Sequence, residues 1–109
     1  MDMETFRRLA LSFPGMTEQA HFEKPSFRVA GKIVATLDTA NQRVCLKLSE
    51  RDQDLFSTFD KTVIYPVPNG WGKQGWTFVN LEKVPEETLR DALTAAYRTV
   101  APKKRQTGF

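Results

Sequence analysis

The stretch Lys24-Pro25-Ser26-Phe27-Arg28-Val29-Ala30-Gly31-Lys32-Ile33-Val34-Ala35-Thr36-Leu37 decides the fold class. Apolar and polar residues alternate through it around a central glycine, the pattern of two strands joined by a tight turn. Residues 26–30 read as the first strand, with Phe27 and Val29 on one side, and 33–37 as the return strand. A three-residue loop at 30–32 puts Ile33, Ala35 and Leu37 on the face of Phe27 and Val29. A two-residue loop aligns Val34 and Thr36 with them instead. The three-residue loop is preferred because it makes one face wholly apolar.

Downstream, 43–48 alternates cleanly: Val44, Leu46 and Leu48 point inward, and Arg43, Cys45 and Lys47 outward. Ser49 with Asp52 three residues on resembles a capping box. It opens a short helix whose Leu55, Phe56 and Phe59 share a face. The β-branched run 62–67 reads as a strand, and Pro66 and Pro68 put it at an edge or at its own end. Residues 69–75 hold three glycines and read as a loop. The last strand is 76–81, with Trp76 and Phe78 opposite Thr77, Val79 and Leu81. Pro85 then opens a closing helix at its first position, with Glu86 and Glu87 in the first turn and Leu89, Leu93, Ala96, Tyr97 and Val100 as its buried stripe. Pro102 ends it.

Upstream, residues 2–13 read as an amphipathic helix capped by Asp2, with Phe6, Leu9, Ala10 and Phe13 on one face, stopped by Pro14-Gly15. Residues 16–24 read as a polar connector. The order is α-β-β-β-α-β-β-α. Grouped strands with helices at the ends predict an α+β fold, an antiparallel sheet of about five strands with the N- and C-terminal helices on one face. The other face is left open to solvent or to a partner. The expected organisation is one domain over 1–101 and a basic tail over 102–109, carrying Lys103-Lys104-Arg105.

The chain has 109 residues, 40 % of them hydrophobic and 27 % charged, which suits one domain with its own core. No run approaches the roughly 20 apolar residues of a membrane helix, and the N-terminus lacks the pattern of a signal peptide. With Cys45 as the lone cysteine no internal disulfide forms, so a cytoplasmic location, a monomer or weak dimer, and no membrane partner are expected. One histidine, His21, and one cysteine exclude an ordinary zinc site. Cys45 and His21 form a nucleophile–base pair only if the fold joins them, and Cys45 lies mid-strand with nothing nearby to orient the histidine. The glycine spacings match no nucleotide fingerprint. No catalytic residue and no cofactor is expected, and the chain reads as a non-enzyme.

Binding features are easier to find. Sixteen Lys and Arg against thirteen Asp and Glu give a formal charge of +3, permissive for nucleic acid. The outward register places Arg28, Arg43 and Lys47 on the uncovered face, among Ser26 and Thr36. Trp71 and Trp76 flank Gly72-Lys73-Gln74-Gly75, an aromatic and cationic segment suited to stacking on bases or another planar ligand. Lys24 and Arg28 bracket the start of a strand and could clamp one anion. The candidate nucleic-acid-binding set is therefore Lys24, Arg28, Arg43, Lys47, Trp71, Lys73 and Trp76. The same residues also have plainer explanations: cations keep an exposed sheet soluble, and tryptophans fill the margin of a core.

The strings Phe13-Pro14-Gly15-Met16-Thr17-Glu18, His21-Phe22 and Lys24 through Lys32, with Leu46-Lys47-Leu48, Gly70-Trp71-Gly72, 76–81 and 93–100, resemble the MmcQ/YjbR family in order and spacing. The resemblance covers all but the last few residues. It implies the α+β fold also seen in bacterial frataxin (CyaY-like), and it implies DNA binding; the open sheet surface itself suits a small ligand or a protein partner as the alternative. It supplies no catalytic residue. Frataxins hold iron with acids of the first helix; here Asp2 and Glu4 share that helix with Arg7 and Arg8, so iron binding does not carry over.

Overall fold

In the computed structural model, residues 1–21 and 23–101 are described, apart from the side chain of His21. Phe22, that side chain and the tail assigned to 102–109 lie outside the described residues. The chain runs α1 (Met3–Leu11), β1 (Thr17–His21), β2 (Lys24–Val29), β3 (Lys32–Asp38), β4 (Arg43–Lys47), α2 (Glu50–Ser57), β5 (Ile64–Pro66), α3 (Gly70–Lys73), β6 (Trp76–Asn80) and α4 (Glu86–Val100). The strands form one antiparallel sheet in the order β1-β2-β3-β4-β6-β5. The α+β class and the terminal helices agree with the sequence reading.

Caps form where the sequence puts them. Asp2 accepts a hydrogen bond from the Thr5 amide at 2.7 Å, and Ser49 from the Asp52 amide at 3.1 Å. Pro85, expected at the first helical position, is instead the N-cap residue of α4, in extended backbone that helix geometry does not include. The core lies between the helices and the face of the sheet that carries Phe27, Ala35, Leu37, Val44, Leu46 and Val79, all buried. Phe6 and Ala10 of α1, and Leu89, Leu93 and Ala96 of α4, cover it. The Phe6 ring stands edge-on to Phe27 at 5.5 Å.

Four local expectations are corrected. The connector over 16–24 contains a sixth strand, β1, paired along its whole length with β2 from Thr17↔Arg28 to His21↔Lys24. Its residues TEQAH carry no apolar alternation, because an edge strand is held by backbone hydrogen bonds and asks little of its side chains.

The β2–β3 hairpin combines features of both loops weighed above. Ala30 and Gly31 form a two-residue turn, both at positive φ (52° and 78°), between the paired Val29 and Lys32. A bulge then shifts the register: Phe27 faces Ala35, while Arg28 faces Ile33. The extra residue is Val34. Val34, Ala35 and Leu37 are all buried, and Ile33 moves to the open face.

Helix α2 does not bury its apolar face. Leu55 and Phe59 are 63 % and 51 % exposed, Phe56 is half-buried, and the residue turned fully inward is Gln53. The segment 69–75 is not all loop. It holds the single turn α3, where the Asn69 side chain caps the Trp71 amide at 2.8 Å.

Candidate ligand-binding face

Alternation along β2, β4 and β6, and along β3 beyond its bulge, sends every second side chain away from the helices. The register then lines up Ser26, Thr36, Cys45, Phe78 and Tyr65 as one row across five strands. Lys47 and Trp76 form a neighbouring pair, and Asp38, Arg43 and Asn80 a row on the other side. The face is uncovered by helices, yet it is not flat. A groove of about 820 Å³ crosses it, lined by Ile33, Thr36, Cys45, Val67, Trp71, Trp76 and Phe78 together with the polar Glu23 and Lys24. Ligand clefts commonly measure roughly 300–1,000 Å³ and are mostly apolar with a few polar groups.

Close backbone approach builds the Trp71 wall. A Cβ on Gly72 would lie 1.9 Å from the Val67 carbonyl oxygen, and one on Gly75 would lie 1.9 Å from that of Leu48. Only glycine lets the segment pass so near its neighbours. Trp71 nevertheless remains 59 % exposed.

Of the seven residues singled out from sequence, Lys24, Trp71 and Trp76 meet in this groove. Lys47 flanks it: its ammonium donates to the Gln74 carbonyl and lies 5.6 Å from the centre of the Trp76 ring. Arg28 is on the same face, with Nε donating to Ser26 Oγ at 3.0 Å. Lys73 is exposed in the last turn of α3, outside the groove lining. Arg43 is held most firmly. Nε bonds Asp38 Oδ2 at 3.0 Å, Nη1 donates to Tyr65 Oη at 3.2 Å, and the guanidinium lies 3.7 Å over the Phe78 ring. This network fixes one side of the groove floor.

The network is visible in its titration. Burial works against the charged Asp38 carboxylate, but hydrogen bonds from Asn41 and Arg43 outweigh it and hold the group below the ordinary aspartate value. At Cys45 burial dominates: its thiol is pushed up to about 11. At neutral pH it is a protonated thiol and a poor nucleophile. Alkylation of Cys45 by iodoacetamide should be slow at pH 7.5 and should accelerate up to about pH 11. A thiol that reacts at the rate of free cysteine at pH 7.5 contradicts this assignment. The sign for stability follows. An unfolded thiol ionises near 9.0, so the contribution is full below that value and is lost as pH rises through about 11.

The sequence reading overlooked Glu23, Ile33 and Val67. Ile33 was hidden by the bulge, and the other two lie between regular elements, where no periodicity marks them. Among the described residues no cluster of three His, Cys, Asp or Glu is arranged to hold a metal. In α1, Glu4 pairs with Arg7 and Arg8, and Asp2 is occupied as a cap. No described helix is long and apolar enough to cross a membrane.

Known proteins place this architecture. A crystal structure of Deinococcus radiodurans protein DR2400, with a DUF419 domain, superposes with a TM-score of 0.79 at 24 % identity. The match covers 99 % of this chain and 81 % of that one, and it establishes a shared fold. No curated protein matches the sequence. The YjbR family model matches residues 11–99, which include the β2–β3 hairpin, the Trp71 segment and most of α4, and the chain accordingly belongs to the YjbR family.

Proposed function

We propose that this protein is a non-enzymatic nucleic-acid-binding domain that takes unpaired bases in the groove of its open sheet face. The observation that carries the reading is the grouping of Trp71, Trp76 and Phe78 around one groove that Lys24 also lines. Aromatic rings can stack on bases only where the bases are unpaired, and stacking tolerates any base. Low sequence preference is therefore expected. Lys24, Lys47, Lys73 and Arg28 supply positive charge around the rings, while Arg43 serves mainly to fix Phe78 and Tyr65.

Labelled single-stranded and duplex DNA, titrated by fluorescence anisotropy at low and near-physiological salt, test this reading. Single strands should bind in the micromolar range and more tightly than duplex. Trp71→Ala should weaken binding about tenfold or more, since one stacked base is worth about 1–3 kcal/mol. Replacing Lys24, Lys47 and Lys73 together by alanine should flatten the salt dependence, by about 0.7 in slope for each phosphate that is no longer neutralised. No binding at low salt to either form would overturn the proposal.

One observation favours a second reading. The groove has the volume and apolar lining of a small-molecule site, and Arg43 and Lys47 are already engaged within the protein. A planar small ligand or a protein partner on the same face would quench tryptophan fluorescence and be indifferent to Arg28→Ala.

A further inference from the structure

Gln53 stands out because a buried amide is costly where an apolar side chain would fill the space. It is 7 % exposed on the covered side of the sheet. Its Nε2 faces three oxygens, Gly72 O at 2.9 Å, Trp76 O at 3.2 Å and Thr77 Oγ1 at 3.1 Å. Two of these acceptors mark the two ends of the segment 72–76, which joins the groove's two tryptophans.

None of the three oxygens depends on Gln53. Gly72 O also accepts from the Gly75 amide, Trp76 O accepts from the Val67 amide, and the Thr77 hydroxyl donates to Gly75 O. Removing the amide leaves none of them without a partner. What Gln53 adds is a tie from α2 to the backbone under Trp71. That ring is mostly exposed, so its position is set by backbone anchoring rather than by side chains closing over it.

We propose that Gln53 is a positioning residue that holds the Trp71-bearing segment in its ligand-ready place. The proposal rests on the groove reading above, and it extends that reading from the residues touching ligand to the one that aligns them. A site held within a fraction of an ångström by a supporting hydrogen bond loses less entropy when ligand arrives.

The test uses protein labelled with 5-fluorotryptophan, with the two fluorine resonances assigned by Trp71→Phe. In Gln53→Met, of similar volume but without the amide, the Trp71 resonance should broaden or split. The Trp76 resonance should change less, because Trp76 loses only the Gln53 bond to its carbonyl, which still accepts from the Val67 amide, and keeps its pairing with Lys47. Affinity for a labelled single strand should fall about tenfold, the worth of one or two such bonds. The thermal midpoint should move only a few degrees. Gln53→Asn keeps the polarity but draws the amide back by one methylene, and it should give the same Trp71 signature should the methionine variant fail to fold. A Trp71 resonance unchanged in both variants would overturn the positioning role. A changed resonance in a protein whose wild type binds no strand would retire the nucleic-acid reading and leave the positioning role standing.

Discussion

Gly75→Ala should destabilise the protein by about 3–5 kcal/mol, the largest effect expected of any single methyl group added to it. Two independent costs combine. The backbone at Gly75 has φ of 101°, which an L side chain rarely adopts, and the new Cβ would stand 1.9 Å from the Leu48 carbonyl oxygen. Leu48 cannot easily retreat, because its amide donates to Gly75 O at 2.9 Å. At about 4–8 °C per kcal/mol for a domain of this size, the thermal midpoint should drop by roughly 12–40 °C. Two other glycines serve as controls. Gly31 also has positive φ but open space around it, so its alanine variant should lose only about 1 kcal/mol. Gly70 has neither problem, and Gly70→Ala should be close to neutral. A Gly75→Ala protein melting within about 2 °C of the wild type would mean that the approach of these two segments is misplaced.

Phe27→Ala should cost about 3–5 kcal/mol as well, through the core rather than the backbone. The ring is fully buried at the middle of β2 and supports Phe6 edge-on. Helix α1 has nine residues, too few to persist alone in water, and it depends on Phe6 and Ala10 being gripped by the sheet. Its amides should therefore show the largest gain in hydrogen exchange, and the urea midpoint should fall with them. Phe27 lies on the covered face, so ligand affinity measured where the variant is still folded should stay near wild type. A midpoint lowered by less than about 1 kcal/mol equivalent would show that neighbouring side chains collapse into the space.

Much of the candidate face was readable from local pattern. Arg43, Cys45 and Lys47 against Val44, Leu46 and Leu48 is an alternation written into the covalent chain, and so is Trp76 and Phe78 against Thr77 and Val79. The structure keeps both. Charge was a poorer guide. Arg28, Arg43 and Lys47 are on the face foreseen for them, but Arg43 is enclosed by Asp38, Tyr65 and Phe78, and Lys47 leans on Gln74. The hydrogen-bonding partners of Arg43 and Lys47 stand between 5 and 27 residues away in sequence, and no spacing rule connects them.

The same division runs through the whole molecule. Helix caps at Asp2 and Ser49, the parity of β4 and β6 and the α+β class follow from the sequence alone, because each depends on residues a few positions apart and on the two fixed periods of helix and strand. Tertiary structure alone decided that a polar connector becomes β1, that Val34 bulges and turns Ile33 outward, that Gln53 rather than Leu55 faces inward, and that two tryptophans enclose a groove. Each of these outcomes depends on which backbone groups and side chains meet across long separations, where burying an unpaired polar group costs more than any local preference of the residue supplies.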